Sequence, residues 1–172
     1  MPAFRSPRSL VLFLAATGLG CAADLLSKHF VFATLLGTGK RPEVVPGLLR
    51  LTLSANPGIV FGIRLPPWLV MLATLAAVAA VVVLFAASAR TFWGLHLALG
   101  MVLGGALGNA YDRLVVRVQL PGETASHAGR VRDFLDVYPI RYPIFNVADV
   151  LLVVGVALIL LHVLRTRRAA PA

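Results

Sequence analysis

Residues 68–87 read WLVMLATLAAVAAVVVLFAA, an unbroken apolar stretch that contains no charged side chain. A helix of about 20 apolar residues crosses the roughly 30 Å hydrocarbon core of a bilayer, whereas a surface helix of a water-soluble domain carries a polar face. Pro66 and Pro67 stand just before the stretch and mark the start of a helix. This segment therefore predicts a transmembrane helix.

Three further apolar stretches of similar length accompany this one. They cover residues 10–36, 92–113 and 147–164. Only residues 88–91 separate the second stretch from the third, so these two helices must be antiparallel neighbours. The sequence predicts a mainly α polytopic membrane protein with four transmembrane helices, folded as a single membrane-embedded domain over residues 1–172.

The composition agrees with a chain whose solvent is lipid. Hydrophobic residues make up 59% of the chain, charged residues only 13%, and the mean hydropathy is +0.87. The net charge of +9 would suggest nucleic-acid binding in a water-soluble protein. Here the basic residues stand at the ends of apolar stretches, so membrane lipids are expected partners and nucleic acid is not. The single cysteine, Cys21, excludes an intrachain disulfide.

Two longer segments connect the predicted helices outside the bilayer. Residues 37–66 contain Gly and Pro and alternate in polarity over residues 49–53, which predicts a small extramembrane β subdomain between helices one and two. Residues 114–144 contain the Pro121-Gly122 turn and a polar run, and they predict a loop that is mobile at its middle.

Both chain ends must lie on one side of the membrane, because the number of predicted helices is even. Arg5 and Arg8 precede the first helix, while Arg165 and two further arginines follow the last, and these clusters favour cytoplasmic termini. Arg5 and Arg8 also resemble the start of a signal peptide. Apolar character resumes over residues 30–36, however, which favours a first helix that is not cleaved.

Charged side chains inside the apolar stretches need partners, because a charge in the bilayer interior is costly. Asp24 and Lys28 lie four residues apart on one helical face, where they can pair. This pair either anchors the first helix or helps to shape a functional site. Gly100, Gly104 and Gly108 repeat at the same spacing and predict a smooth groove for the backbone of another helix.

The remaining polar groups suggest chemistry. Asn109 and Arg113 stand at the polar end of the third helix and either cap it or offer hydrogen-bond donors to a ligand backbone. Asp133 follows the long loop, and Asp149 lies in the first turn of the fourth helix. Two carboxylates in a low-dielectric site share one proton, so the ionised one can activate water while the protonated one polarises a substrate. The spacing alone leaves a proton relay open, and no cluster has zinc-ligand spacing.

Five ordered motifs lie between residues 24 and 149, near the predicted helix ends. They are Asp24-x-x-Ser27-Lys28, Asn56-x-Gly58-x-x-Phe61-Gly62, Gly104-Gly105-x-x-Gly108-Asn109-x-x-Asp112-Arg113, Gly129-x-Val131-x-Asp133-Phe134 and Phe145-Asn146-x-Ala148-Asp149. Any one of them alone is a weak signal. Together they resemble the lipoprotein signal peptidase family, the type II signal peptidases.

The resemblance implies an aspartic endopeptidase of the bacterial cytoplasmic (inner) membrane, with cytoplasmic termini and an active site at the outer face. It assigns the catalytic pair to Asp133 and Asp149, and it places Asn109 and Arg113 near the scissile bond. Asn56 and Asn146 stand in matching motifs and are expected to bind substrate as well. The residues expected to be structural are Asp24, Lys28, Asp112, Gly104 and Gly108.

The implied substrate is a prolipoprotein that carries a diacylglyceryl group and is cut just before its lipidated cysteine. The family implies no metal, no cofactor and inhibition by globomycin-type lipopeptides, and we expect a monomer.

Residues 114–128 fill a gap that is only a few residues long in the family, as either a passive insertion or a lid. The rival functions are a small transporter or proton relay that uses Asp24, Asp133 and Asp149, and an assembly factor without enzymatic activity. On the sequence alone, either Asp133 or Asp149 can hold the shared proton.

Overall fold

Four long helices dominate the computed structural model, which describes residues 2–60 and 63–169. They are α1 (Pro7–Leu35), α2 (Pro67–Ala87), α3 (Trp93–Val115) and α4 (Val147–Ala169), with short 3-10 helices at Ala3–Arg5 and Tyr138–Ile140. Within these described ranges, three segments are long and apolar enough to cross a membrane: Pro7–Leu35, Pro67–Ala87 and Val147–Thr166. The prediction of a mainly helical membrane protein with four helices is confirmed.

The helix α3 is not among these three segments, and protein covers much of its surface. It packs against α1 on one face and α4 on another, and most of its buried residues are small or polar. A Cβ atom on Gly104 would lie 2.7 Å from the carbonyl oxygen of Thr17 in α1. A Cβ on Gly105 would lie 2.6 Å from the carbonyl oxygen of Ala148 in α4. These glycines therefore let the backbone of α3 approach the backbones of α1 and α4 closely. The four-residue glycine spacing predicted a close contact of this kind with one other helix.

Replacing Gly104 by Ala is expected to destabilise the protein, because the added methyl group cannot fit between α3 and α1. Overpacking of this kind costs about 1–3 kcal/mol. The matched control is Gly94→Ala on the same helix, where nothing lies within 4 Å of the added Cβ. The control should be neutral or slightly stabilising, because alanine has the higher helix propensity. Thermal unfolding of both variants in detergent checks this, and equal melting temperatures would contradict the packing argument.

A three-stranded antiparallel sheet lies outside the helices, with strand order β1-β2-β5. Its strands are β1 (Glu43–Val45), β2 (Leu49–Asn56) and β5 (Val131–Asp136), and a separate hairpin pairs β3 (Ile59–Val60) with β4 (Ile63–Arg64). The predicted β structure between α1 and α2 is confirmed. The motif positions Phe61 and Gly62 lie outside the described residues.

The strand β5 corrects the sequence prediction, which treated all of residues 114–144 as loop. Ser54 of β2 pairs with Asp133 of β5, and Asn56 pairs with Val131. Buried residues do not alternate regularly along β5, since Asp133 and Phe134 are both buried. The two-residue periodicity that identifies a half-buried strand is therefore missing from this segment. The pairing brings Asp133 from the long connection to the N-terminal end of α4.

Residues 116–130, here called the insertion hairpin, are also more ordered than the predicted mobile loop. Val118 and His127 exchange two backbone hydrogen bonds, of 2.9 and 2.8 Å. The Glu123 carboxylate accepts a 2.8 Å hydrogen bond from the Leu120 backbone N–H and pairs with Arg130. The side chain of Val118 is buried in an apolar cluster with Phe32 and Phe134. The insertion thus packs on the end of α1.

Candidate active site

The N-terminal end of α4 is held by a reciprocal pair of hydrogen bonds between Asn146 and Asp149. The Asn146 side-chain oxygen accepts from the Asp149 backbone N–H at 3.0 Å, and Asp149 Oδ2 accepts from the Asn146 backbone N–H at 3.1 Å. This is a capping box, in which two N–H groups without helical partners are satisfied at once. The same bonds fix the Asp149 carboxylate at the positive end of the helix dipole.

Asp133 approaches the same place from β5 and is 1% exposed. Its Oδ1 accepts a 2.6 Å hydrogen bond from the side-chain amide of Asn146. Burial and, after it, the nearby charge of Asp149 together raise the pKa of Asp133 to about 7, against the opposing effect of the Asn146 hydrogen bond. The two aspartates therefore share one asparagine and differ in environment.

Asn109 links this pair to the interior of the helix bundle. Its Nδ2 donates to Asp149 Oδ1 at 3.0 Å. Its Oδ1 accepts from Asn146 Nδ2 at 3.2 Å and from Lys28 Nζ at 2.8 Å. Because the lysine can only donate, it determines which way the Asn109 amide faces, and so keeps the amide nitrogen directed at Asp149.

Lys28 is fully buried and lies among three partners. Besides Asn109, its Nζ is 2.7 Å from Asp24 Oδ2 and 3.3 Å from Asp112 Oδ2. Asp24 Oδ1 in turn accepts a 2.8 Å hydrogen bond from the backbone N–H of Ala148, in the first turn of α4. The ion pair predicted from the four-residue spacing is present, and it joins α1 to both α3 and α4.

Asp112 connects this buried cluster to the strand that carries Asp133. Its Oδ1 accepts from the Arg132 guanidinium at 2.7 and 3.1 Å, and its Oδ2 accepts from the Arg132 backbone N–H at 2.9 Å. Asp24, Lys28, Asp112 and Arg132 therefore form a chain of alternating charges with no net charge. The Arg132 contacts fix the residue next to Asp133.

A cavity of about 510 Å³ lies between α2, α3 and α4 and reaches Asp149. Its polar walls are Asn56, Asn109, Arg113 and Asp149, and its apolar walls include Val70, Ala73, Ala77, Ala106, Phe145 and Leu152. Within the described part of the chain, Arg113 Nε has no hydrogen-bond partner. Asp133 is not part of the wall, because it is buried behind it. The arrangement places a carboxylate and hydrogen-bond donors at the polar end of an apolar groove.

Similarity to known proteins in sequence and fold identifies the family of this chain. Residues 16–165 match the family described as signal peptidase (SPase) II.

The chain belongs to the signal peptidase II family.

Its relatives include proteins named lipoprotein signal peptidase. The protein from Gloeobacter violaceus is 33% identical over 93% of this chain and 86% of its own length. The protein from Symbiobacterium thermophilum is 33% identical over 95% of this chain and 99% of its own length. The structure of a bacterial membrane enzyme, solved by the in meso method, superimposes with a TM-score of 0.74 at 28% identity. The match covers 95% of this chain and 92% of the chain of that enzyme. A second has a TM-score of 0.69 and 29% identity over 91% of this chain and 92% of that one.

The chain is therefore an aspartic-type signal peptidase and a multi-pass enzyme of a bacterial membrane. This decides against the small transporter or proton relay and against the assembly factor without enzymatic activity. Among residues 2–60 and 63–169, no group of three or more His, Cys, Asp or Glu side chains could hold a metal ion.

The structure brings the site residues predicted for a signal peptidase II together. The set comprises Asp133, Asp149, Asn109, Arg113, Asn56 and Asn146, with Asp24, Lys28 and Asp112 behind them. Sequence reasoning missed Arg132, which stands beside Asp133 in the fourth motif. A signal was present: the buried Lys28 could not neutralise both Asp24 and Asp112, so a second cation was needed.

Proposed function

We propose that this signal peptidase cleaves diacylglyceryl-modified prolipoproteins just before the lipidated cysteine, with Asp133 and Asp149 as the catalytic pair. The observation that carries the proposal is the junction at Asn146, which binds both carboxylates at the polar end of the cavity. A lipidated substrate keeps its acyl chains and apolar signal helix in the bilayer, so its scissile bond lies at the depth of such a junction. The names of the relatives support this substrate class.

In the proposed reaction Asp149 is the ionised member of the pair and Asp133 the protonated one. Asp149 lines the cavity and takes a proton from water, which attacks the scissile carbonyl carbon. Asp133, with its pKa raised to about 7, donates its proton to the substrate. Because Asn146 and the cavity wall cover Asp133, substrate binding has to open a path to it. The tetrahedral intermediate then collapses: its C–N bond breaks, Asp149 gives the proton it took from water to the leaving amine nitrogen, and Asp133 takes back a proton from the gem-diol oxygen as the new carboxyl group forms. This cycle restores the dyad without a metal or cofactor.

The remaining polar groups are proposed to bind the substrate. Arg113 and Asn109 line the cavity beside Asp149 and can donate to the peptide carbonyl groups on either side of the scissile bond. Asn56 lines the same wall, and Asn146 lies directly behind it. Lipopeptide inhibitors of the globomycin type combine an acyl chain with a peptide ring, so we propose that they occupy the same cavity.

We further propose that residues 1–172 act as one monomeric, membrane-embedded domain with both termini in the cytoplasm. Arg5, Arg8 and Arg165 cluster at one end of the bundle, which supports that orientation by the positive-inside rule. The capping box, the sheet and the cavity lie at the other end, so the active site would face outward from the inner membrane.

The decisive experiment is cleavage of a purified prolipoprotein by the purified enzyme in detergent. The diacylglyceryl-modified precursor should be cut before its cysteine, whereas the same precursor without lipid should be cut far more slowly. Mass spectrometry of the products identifies the bond. Equal rates for the two precursors would contradict the proposed substrate class, and no cleavage of either would contradict the proposed function.

The pH dependence of cleavage tests the proton assignment. The proposed pair works with Asp133 protonated, and Asp133 has a pKa of about 7. We therefore expect kcat/KM to fall on the alkaline side, approaching about tenfold per pH unit well above pH 7. Activity should return when an alkaline sample is brought back to pH 6, which controls for unfolding. A flat profile between pH 6 and 9 would contradict the assignment.

A further inference from the structure

A second cavity, of about 400 Å³, lies away from the active site. It lies between the C-terminal end of α1, the first residues of the insertion hairpin and the strand β5. Phe32, Leu36 and Val118 contribute apolar walls, while His29, Arg117 and Arg132 contribute basic ones. None of its lining residues lines the cavity at Asp149. The site exists because the insertion hairpin closes one side of it.

The charges around this cavity leave one cation without an anion. Asp112 is engaged by Lys28 and Arg132, and Glu123 by Arg130 and a backbone N–H. The guanidinium of Arg117 forms no hydrogen bond or ion pair with any residue in the ranges 2–60 and 63–169. An exposed guanidinium beside an apolar recess is suited to bind a phosphate through two parallel hydrogen bonds.

The depth of the cavity in the membrane indicates where that phosphate would come from. Phe30, near the end of α1, is 63% exposed, and Leu114 and Val115, at the end of α3, are 68% and 60% exposed. Exposed apolar side chains at the helix ends of a membrane-embedded bundle lie against acyl chains, so the cavity opens where the hydrocarbon ends and headgroups begin. Apolar walls next to basic ones match the glycerol and phosphate of a lipid.

We propose that this cavity binds the headgroup of an anionic phospholipid, with Arg117 contacting its phosphate and His29 beside it. The apolar residues Phe32 and Leu36 contact the start of the acyl chains. This goes beyond the peptidase reaction, since the bound lipid is not the substrate and lies on a different face of the bundle. It makes the insertion hairpin a lipid-binding element of this chain.

Lipid binding to the purified, full-length protein in detergent tests the proposal. Native mass spectrometry measures the affinity for phosphatidylglycerol of the wild type, Arg117→Gln and the matched control Arg41→Gln. Arg41 is an exposed arginine between α1 and β1 that lines neither cavity, and its substitution removes the same charge as Arg117→Gln. We expect Arg117→Gln to weaken binding about tenfold, since it loses a charge-assisted bidentate contact. Arg41→Gln should change binding less than about twofold.

Each other outcome overturns the proposal. Equal losses in both variants would mean that only general surface charge attracts the lipid. Equal affinity for phosphatidylcholine would exclude a site for anionic headgroups. Inorganic phosphate that binds as tightly as the lipid, and also depends on Arg117, would make this a site for free phosphate. Unchanged melting temperatures of the two variants control for folding.

Discussion

Replacing Asp133 by Asn should abolish cleavage of the lipidated precursor while leaving the protein folded. The amide is nearly isosteric, and its oxygen can still accept the hydrogen bond from Asn146. It cannot hold or transfer a proton, and general acid–base groups contribute about 10²–10⁴-fold to rate. We therefore expect a loss of that size, measured as single-turnover cleavage in detergent.

Asp149→Asn should lose as much activity but also some stability. Asp149 accepts hydrogen bonds through both oxygens, from Asn109 and from the Asn146 backbone. An amide has one oxygen, so its NH₂ group would face another donor, with a penalty of about 1–3 kcal/mol. The melting temperature should fall for this variant and fall less for Asp133→Asn, because a protonated Asp133 already presents one acceptor oxygen and one donor, as an amide does. That contrast separates loss of chemistry from loss of structure.

Asp136→Asn is the matched control for both variants. Asp136 lies on the same strand as Asp133 and is bonded to Arg50 and Thr52, away from the cavity. Its cleavage rate should stay within about threefold of wild type, because no general acid–base group is removed. Retention of more than about a tenth of the wild-type rate by either active-site variant would contradict the dyad, given the usual size of such contributions.

The membrane makes much of this site predictable from sequence. A charge inside an apolar stretch needs a partner, so Asp24 and Lys28 could be paired by their spacing alone. The glycine repeat of α3 likewise predicted a close helix contact, and the structure shows that α1 makes it. In both cases the signal is a four-residue spacing along a single helix, so local helix geometry is sufficient to detect it.

The contacts that the sequence did not predict join distant parts of the chain. Asp133 reaches the site because β5 pairs with β2, about eighty residues earlier, and β5 lacks the alternation that would identify it. The pairing of Asp112 with Arg132 depends on the same strand. Hydropathy also did not reveal that α3 is the central helix, since its polar and small residues are covered by protein rather than lipid. Tertiary packing, not local propensity, determines these features.

Replacing Lys28 by Met should greatly reduce the amount of folded protein. Methionine fills a similar volume, so the variant removes the charge without leaving a large cavity. Asp24 and Asp112 would remain fully buried, and Asp24 would lose its cation. Breaking a buried pair by removing one partner destabilises a protein by about 3–5 kcal/mol. The folded yield from membranes and the melting temperature in detergent measure the loss of stability. Lys40 is exposed, so Lys40→Met is the control and should behave as the wild type does.

Adding Asp24→Asn to Lys28→Met should recover part of the loss. The new amide oxygen can still accept from the Ala148 backbone N–H, while the buried negative charge beside it is gone. The double variant should therefore melt at a higher temperature than Lys28→Met alone. Comparing the double variant with both single variants gives the interaction free energy between Asp24 and Lys28. Its cleavage per folded molecule should stay reduced, because the lysine that orients Asn109 towards Asp149 is still missing. If the double variant is no more stable than the single one, charge neutralisation by Lys28 is not what stabilises the bundle. Its role would then lie in orienting Asn109 alone.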